Sequence, residues 1–281
     1  MTNARKCGKW ALWSVALALL LGPLHAQAES VPMQVSVRDN IAVALIGDPA
    51  KPIADVTLEF DNVSGLRPSS LGLSARLVDI ADPALRKRLP DSQLNQINSA
   101  FPLQLTIEPP KNGGLKFRNV RVDVHTHALV YSPGSNYRLY KASSGGKFTD
   151  ITDEIAAGSV RARGTTGGFS QFLVLTDLRP TDAVVVDKLA QLDARIARLP
   201  ASERAGFTTH LDAVATAVAA ADYPTALAST EQIAQRARAR AGRYLTDEWS
   251  AASASDNQVG DLIAGVATLR YSIAYLRDFG R

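Results

Sequence analysis

The stretch FSQFLVLTDLRPTDAVVVDKLAQLDARIARLP, Phe169 to Pro200, changes its hydrophobic period midway, and that change sets the fold class. Its first part, FSQFLVL from Phe169 to Leu175, is short, apolar and preceded by Gly167-Gly168, as a strand is. After Arg179-Pro180 the apolar residues Val185, Leu189, Leu192, Ile196 and Leu199 recur at i, i+4, i+7, i+11 and i+14. That spacing places them on one face of a helix, which Pro200 ends. The chain therefore reads as strands before residue 180 and helices after it.

Upstream, period two recurs in Met33, Val35, Val37; Val56, Leu58, Phe60; Leu71, Leu73, Ala75, Leu77; Phe101, Leu103, Leu105, Ile107; Leu115, Phe117; and Val120, Val122, Val124. Gly47-Asp48-Pro49, Asn62-Val63-Ser64-Gly65, residues 109–114 and Ser132-Pro133-Gly134 let the chain reverse between them. No strand-helix alternation supplies parallel crossovers, so residues 29–180 are expected to form an antiparallel, Ig-like β-sandwich. Asp82-Pro83 should start one short helix, Ala84 to Leu89, stopped by Pro90.

Downstream, a second helix from near Ser202 aligns Phe207, Leu211, Val214 and Val218. A third, from Thr225 to about Trp249, turns Leu227, Ile233, Ala237 and Tyr244 inward. A fourth, from about Asn257 to Asp278, aligns Val259, Leu262, Ile263, Val266, Leu269, Ile273 and Leu276. Short loops join antiparallel neighbours, so residues 181–281 are expected to form an up-down four-helix bundle, giving an α+β chain of two parts.

Residues 1–28 stand apart. Arg5, Lys6 and Lys9 precede the apolar run Trp10 to Leu21, and Ala26-Gln27-Ala28 follows it. The run is about half of the roughly 20 residues a membrane-spanning helix needs, and Ala-Gln-Ala is the small-x-small pattern of a cleaved signal peptide. Cleavage is expected between Ala28 and Glu29, giving a periplasmic or secreted protein with no integral membrane segment. The only cysteine, Cys7, leaves with the signal, and 28 basic residues then face 27 acidic ones. Such a balance gives no footprint for nucleic acid, and a chain without cysteine has neither disulfides nor a thiol nucleophile.

Within VDVHTHALVYSPG, Val122 to Gly134, His125 and His127 point to one side of a strand and are the metal candidates. A catalytic zinc site takes about three protein ligands plus an open position. His210 lies far along on a helix, and Asp123 is assigned to the opposite strand face, so the pair lacks a third ligand and no metal or cofactor is expected. The glycine clusters Ser144-Gly145-Gly146 and residues 164–168 lack the Gly-Lys-Ser/Thr ending of a phosphate loop and read as hairpin turns. No Gly-x-Ser-x-Gly elbow is present. Arg161 and Arg163 share a strand face, and Arg236, Arg240 and Arg243 follow i, i+4, i+7 on the third helix. Either set suits an anion, although ion pairs with Glu231 and other acids account for them more simply. Tyr131, Tyr137 and Tyr140 surround a turn where a ligand would stack or strands would pack.

The pieces THALVYSPGS, YRLYKA, GGKFTDIT, GSVRARG and GFSQFLVLTD, within Phe101 to Pro180, resemble a family of secreted proteobacterial proteins of unknown function. The likeness extends upstream through SGLRPSSLGLSARLV and through Arg88 to Pro90. It implies export and a β-then-α layout, and carries over no activity, cofactor or catalytic residue. The expected function is non-enzymatic binding of a protein or envelope partner, with Arg161, Arg163, Tyr131 and Tyr137 as binding candidates. The alternative is an extracytoplasmic hydrolase built from distant carboxylates such as Asp150, Asp153 and Glu154, or from His125 and His127. Tyr271, Tyr275 and Phe279, at i, i+4 and i+8, form a second stripe on the last helix that would suit a homo-oligomer.

Overall fold

The computed structural model describes residues 30–253 and 256–280; the expected cleavage point between Ala28 and Glu29 lies outside them. In chain order the elements are β1 (Ser30–Val31), β2 (Met33–Arg38), β3 (Ile41–Asp48), β4 (Lys51–Asp61), α1 (Pro68–Leu71), β5 (Leu73–Leu77), α2 (Pro83–Arg86), β6 (Asn95–Ile97), β7 (Leu103–Ile107), β8 (Lys116–Phe117) and β9 (Asn119–Val130). Then come β10 (Tyr137–Ala142), β11 (Thr149–Asp150), β12 (Thr152–Ala156), β13 (Ser159–Thr166), β14 (Gln171–Asp177), α3 (Thr181–Ile196), α4 (Ala201–Ala219), α5 (Tyr223–Arg240), β15 (Trp249–Ser250) and α6 (Gln258–Phe279). The strand-rich part thus precedes the long helices, and the change falls where the period changes.

The strands pair antiparallel in two large sheets and a third of two strands, β8 and β15. The first runs β1-β5-β7-β14-β10-β11, with β6 also on β14; the second runs β12-β13-β9-β4-β3-β2. One apolar cluster draws on both, with Val56, Leu58, Val122 and Val124 from the second sheet and Leu103, Leu105, Leu139 and Phe172 from the first. In β14 the residues Phe172 and Val174 join this cluster while Leu173 and Leu175 join another with Tyr140, Phe148 and Leu89. Burial on both faces is why FLVL shows no polar alternation. Leu71, assigned by spacing to a strand, sits instead in α1, which Pro68 opens and Gly72 closes in the left-handed region at φ 57°. Asp82 caps α2 as expected, accepting from the Ala84 N–H at 2.8 Å.

The long helices share a core of their own, built from Val185, Leu192, Phe207, Val214, Ile233, Leu262 and Leu269 among others. The third helix departs from its expected course. It stops at Arg240 rather than near Trp249, because Ala241 turns extended and Gly242 takes φ 70°. Tyr244, expected inward, is 43% exposed. Trp249 returns to the strand-rich part, where β15 pairs β8 and the indole packs on Phe117 (4.9 Å) and Phe169 (5.6 Å). Burial of an aromatic ring among Phe60, Phe117 and Phe169 outweighs another helical turn.

The helices are docked on the second sheet through α6, which packs against β13, β12 and β9. Its N-cap is also the clasp. Asn257 Oδ1 accepts from the Gly260 N–H at 3.0 Å while its Nδ2 donates to the carbonyls of Arg118 (2.5 Å) and Gly167 (2.8 Å). A Cβ on Gly260 would lie 2.2 Å from the Arg118 carbonyl oxygen, and one on Gly167 2.7 Å from the Asp261 nitrogen, so both glycines are needed for this approach. Deeper in the seam, Lys188 of α3 meets Asp150 of β11 at 2.6 Å with both side chains almost wholly buried.

Candidate functional site

The second sheet turns Val120, Val122 and Val124 of β9 inward and Arg121, Asp123, His125 and His127 outward. Asp123 therefore shares the face of the histidines, contrary to the sequence assignment, because residues two apart on a strand point the same way. Register across the sheet sets Asp55 of β4 and Arg161 of β13 on either side of His125, and Thr57 and Arg163 on either side of Asp123. A bulge in β12 between Thr152 and Glu154 brings the successive carboxylates of Asp153 and Glu154 to this outer face.

Charges in the middle of the face neutralise one another. Arg163 donates to Asp123 (2.8 Å) and Glu154 (2.7 Å), and Arg121 to Glu154 (2.6 Å) and Asp153 (3.3 Å). Arg161 lies 3.7 Å from Asp123. Burial raises the Asp153 carboxyl above its ordinary range despite the Thr165 hydroxyl and Arg121. Burial pushes Glu154 up as well, but hydrogen bonds from Arg163 and Arg121 outweigh it and hold that carboxyl low. Asp150 is engaged by Lys188, so the three carboxylates named as a hydrolytic set do not converge on one free site.

At one end of the face the histidines find what the sequence did not offer. Asp55 Oδ2 lies 3.2 Å from His125 Nδ1 and 3.1 Å from His127 Nε2, and the two rings are 4.4 Å apart. His125 Nε2 is 2.6 Å from the Ser159 hydroxyl. The donor atoms of Asp55, His125 and His127 all fall within 4.8 Å of one another, so a third ligand candidate is present. Asp55 was missed because it is one more polar residue in the alternation IADVTLEF; its register opposite His125 alone marks it out.

At the other end, six residues along β9 and so about 20 Å away, Arg121 and Asp153 form one wall of a cleft against α5 and α6. The cleft holds about 580 Å³. Arg238, Arg270, Arg277 and Glu231 stand around it, over a floor that includes Leu227, Ile263 and Val266. Arg238 (3.4 Å) and Arg270 (2.7 Å) share the Glu231 carboxylate.

Tyr131 and Tyr137 pack against the main core, and Tyr140 is fully buried, donating to Asp177 at 2.5 Å. Arg236 and Arg240 both grip Glu203 of α4, at 3.1 and 2.9 Å, instead of Glu231. Arg243 lies beyond the end of α5. The stripe of Tyr271, Tyr275 and Phe279 makes contacts within the chain. Tyr275 donates to the Gly134 carbonyl at 2.6 Å, and the Arg138 guanidinium lies over Tyr275 (4.3 Å) and Tyr271 (5.1 Å), leaving Phe279 47% exposed. Among the described residues no helix is long and apolar enough to cross a membrane.

No curated protein matches the chain. A family of unknown function, DUF6689, matches residues 16–277, well beyond the segment on which the sequence resemblance rested, and the chain belongs to that family.

Proposed function

We propose that the protein is an exported, non-enzymatic binding protein whose ligand is a compact anion with an apolar body, held in the cleft between the strands and the helices. In this reading residues 29–180 are an Ig-like β-sandwich that serves as a platform, and residues 181–281 are an up-down four-helix bundle closing over its outer face. The observation that carries the reading is the composition of the cleft. Four guanidiniums, Arg121, Arg238, Arg270 and Arg277, line it above apolar side chains; Arg121 pairs with Asp153 and Glu154 and Arg277 with Asp278, while Arg238 and Arg270 share the single carboxylate of Glu231. Arginine forks suit carboxylate, sulfonate or phosphate oxygens, and a cleft of about 580 Å³ at a junction between two parts lies in the size range of small-molecule sites.

Calorimetric titration of the mature chain with decanoate and with 2-naphthalenesulfonate at low salt tests the cleft. Saturable binding that weakens at least tenfold in the Arg238→Gln, Arg270→Gln double variant is expected. No binding of either probe, or binding indifferent to that double change, refutes the assignment. Export is tested by N-terminal sequencing of the protein recovered from outside the cytoplasm. A start at Glu29 is expected, and one at Met1 or Thr2 refutes it.

A further inference from the structure

We propose that Asp55, His125 and His127 form a binding site for one divalent first-row transition ion, with zinc as the reference metal and Ser159 orienting one ligand. The site is separate from the arginine-lined cleft, so each assignment stands or falls alone. It starts from strand geometry. Asp55 and His125 are directly opposite in the β4–β9 register and His127 is the next outward residue, so rigid backbone aims three side chains at one point.

The distances suit coordination as well as hydrogen bonding. N–H···O hydrogen bonds span about 2.7–3.2 Å. Here both nitrogens stand at 3.1 and 3.2 Å from the same Asp55 oxygen. Neighbouring ligands of a tetrahedral ion, each about 2.0–2.1 Å from the metal, are separated by roughly 3.3 Å. Two imidazole nitrogens and one carboxylate oxygen, with no thiolate, form a donor set that takes zinc and its first-row neighbours. The side chains of His127 and Asp55 are 35% and 31% exposed, which leaves the remaining coordination positions open to water.

Ser159 supplies the outer contact that metal-bound histidines commonly have. With a metal bound, its hydroxyl, 2.6 Å from His125 Nε2, would accept a hydrogen bond from the Nε2–H and leave the Nδ1 lone pair facing the ion. Arg161, opposite His125 on β13, is directed to Asp123 at 3.7 Å. The same atoms also spell Asp55–His125–Ser159, the connectivity of an activated serine. A serine relay gives no role to a second imidazole on the Asp55 oxygen, whereas an ion uses it.

The test uses the full mature chain stripped with chelator, dialysed against Zn²⁺, and followed in parallel by the visible spectrum of added Co²⁺. One ion per chain is expected. Asp55→Asn and His127→Gln should each lower affinity at least a hundredfold, and Ser159→Ala about tenfold with the stoichiometry kept. His127 lies at the surface, so H127Q should unfold in chelator at the wild-type temperature, and Zn²⁺ should raise that temperature in the wild type alone. Absence of saturable binding, or zinc affinity unchanged in H127Q, overturns the proposal. So does labelling of Ser159 by a fluorophosphonate in the metal-free wild type that is lost in His125→Gln, which would assign the cluster to a serine nucleophile.

Discussion

At the scale of single residues, Lys141 is held away from its ordinary titration range with a legible consequence. Its ammonium donates to Thr166 Oγ1 at 2.6 Å in a crevice shared with Arg195 and Asp261. Burial, aided by Arg195 and opposed by Asp261, lowers its pKa from 10.5 to about 8. Below about 8 the folded and unfolded chains both carry the proton, so the penalty is fully present at neutral pH. Between about 8 and 10.5 the unfolded chain keeps a proton that the folded chain has released, and stability rises with pH through that window. Lys141→Met should therefore stabilise the protein at pH 7 by about 1–2 kcal/mol, discounted because the lysine is only half-buried, and should flatten the rise. Urea unfolding from pH 7 to 10 checks both; a variant less stable at pH 7 would contradict the account. The same scale shows what a sequence hides. The parity of Asp123, His125 and His127 was available on paper, but the partnership of Asp55 with them depends on β4 lying beside β9, which no local pattern encodes.

At the scale of elements, α4 and α5 are tied by a charge as well as by their apolar faces. Glu203, in the first turn of α4 where a carboxylate also suits the helix dipole, is 4% exposed and receives Arg236 and Arg240. Removing it would leave two guanidiniums facing each other at the contact. Glu203→Ala should cost about 2–3 kcal/mol, less than for a fully buried pair because both arginines keep partial access to water. Arg240→Ala should cost less, since Arg236 remains on the carboxylate; equal or smaller loss in E203A would show that the clamp is ornamental. The helices themselves were readable because their apolar spacing is local: starts near residues 181, 202 and 257 match α3, α4 and α6 to within a residue or so. The end of α5 was not. Tyr244 and Trp249 extend the apolar pattern past Gly242, and the aromatic partners that draw Trp249 away lie far upstream on β8 and beside β14.

At the scale of the whole molecule, the change of period at Arg179-Pro180 announced two kinds of structure but not how they meet. Lys188 looks like an ordinary surface lysine of an amphipathic helix. It is instead buried in the seam, where it pairs with Asp150 and donates to Thr268 Oγ1 (2.6 Å) and Ser272 Oγ (2.8 Å) of α6. Burial lowers its pKa, with Asp150 opposing. Asp150 is in turn held by Thr152, whose hydroxyl donates at 2.6 Å and whose N–H donates at 2.8 Å. Lys188→Met leaves that carboxylate buried without its ion-pair partner, and should cost about 3–5 kcal/mol. Adding Asp150→Asn removes the stranded charge while keeping an acceptor for Thr152, so the double variant should recover most of the loss. The pair also joins the two parts, so they should unfold together in the wild type. Trp249, the only tryptophan after the expected signal, reports on the strand-rich part, while far-UV circular dichroism is dominated by the helices. The two probes should give coincident urea transitions in the wild type and separate ones in Lys188→Met, with the helices losing structure first. Separate transitions already in the wild type would show that the seam does not couple the parts.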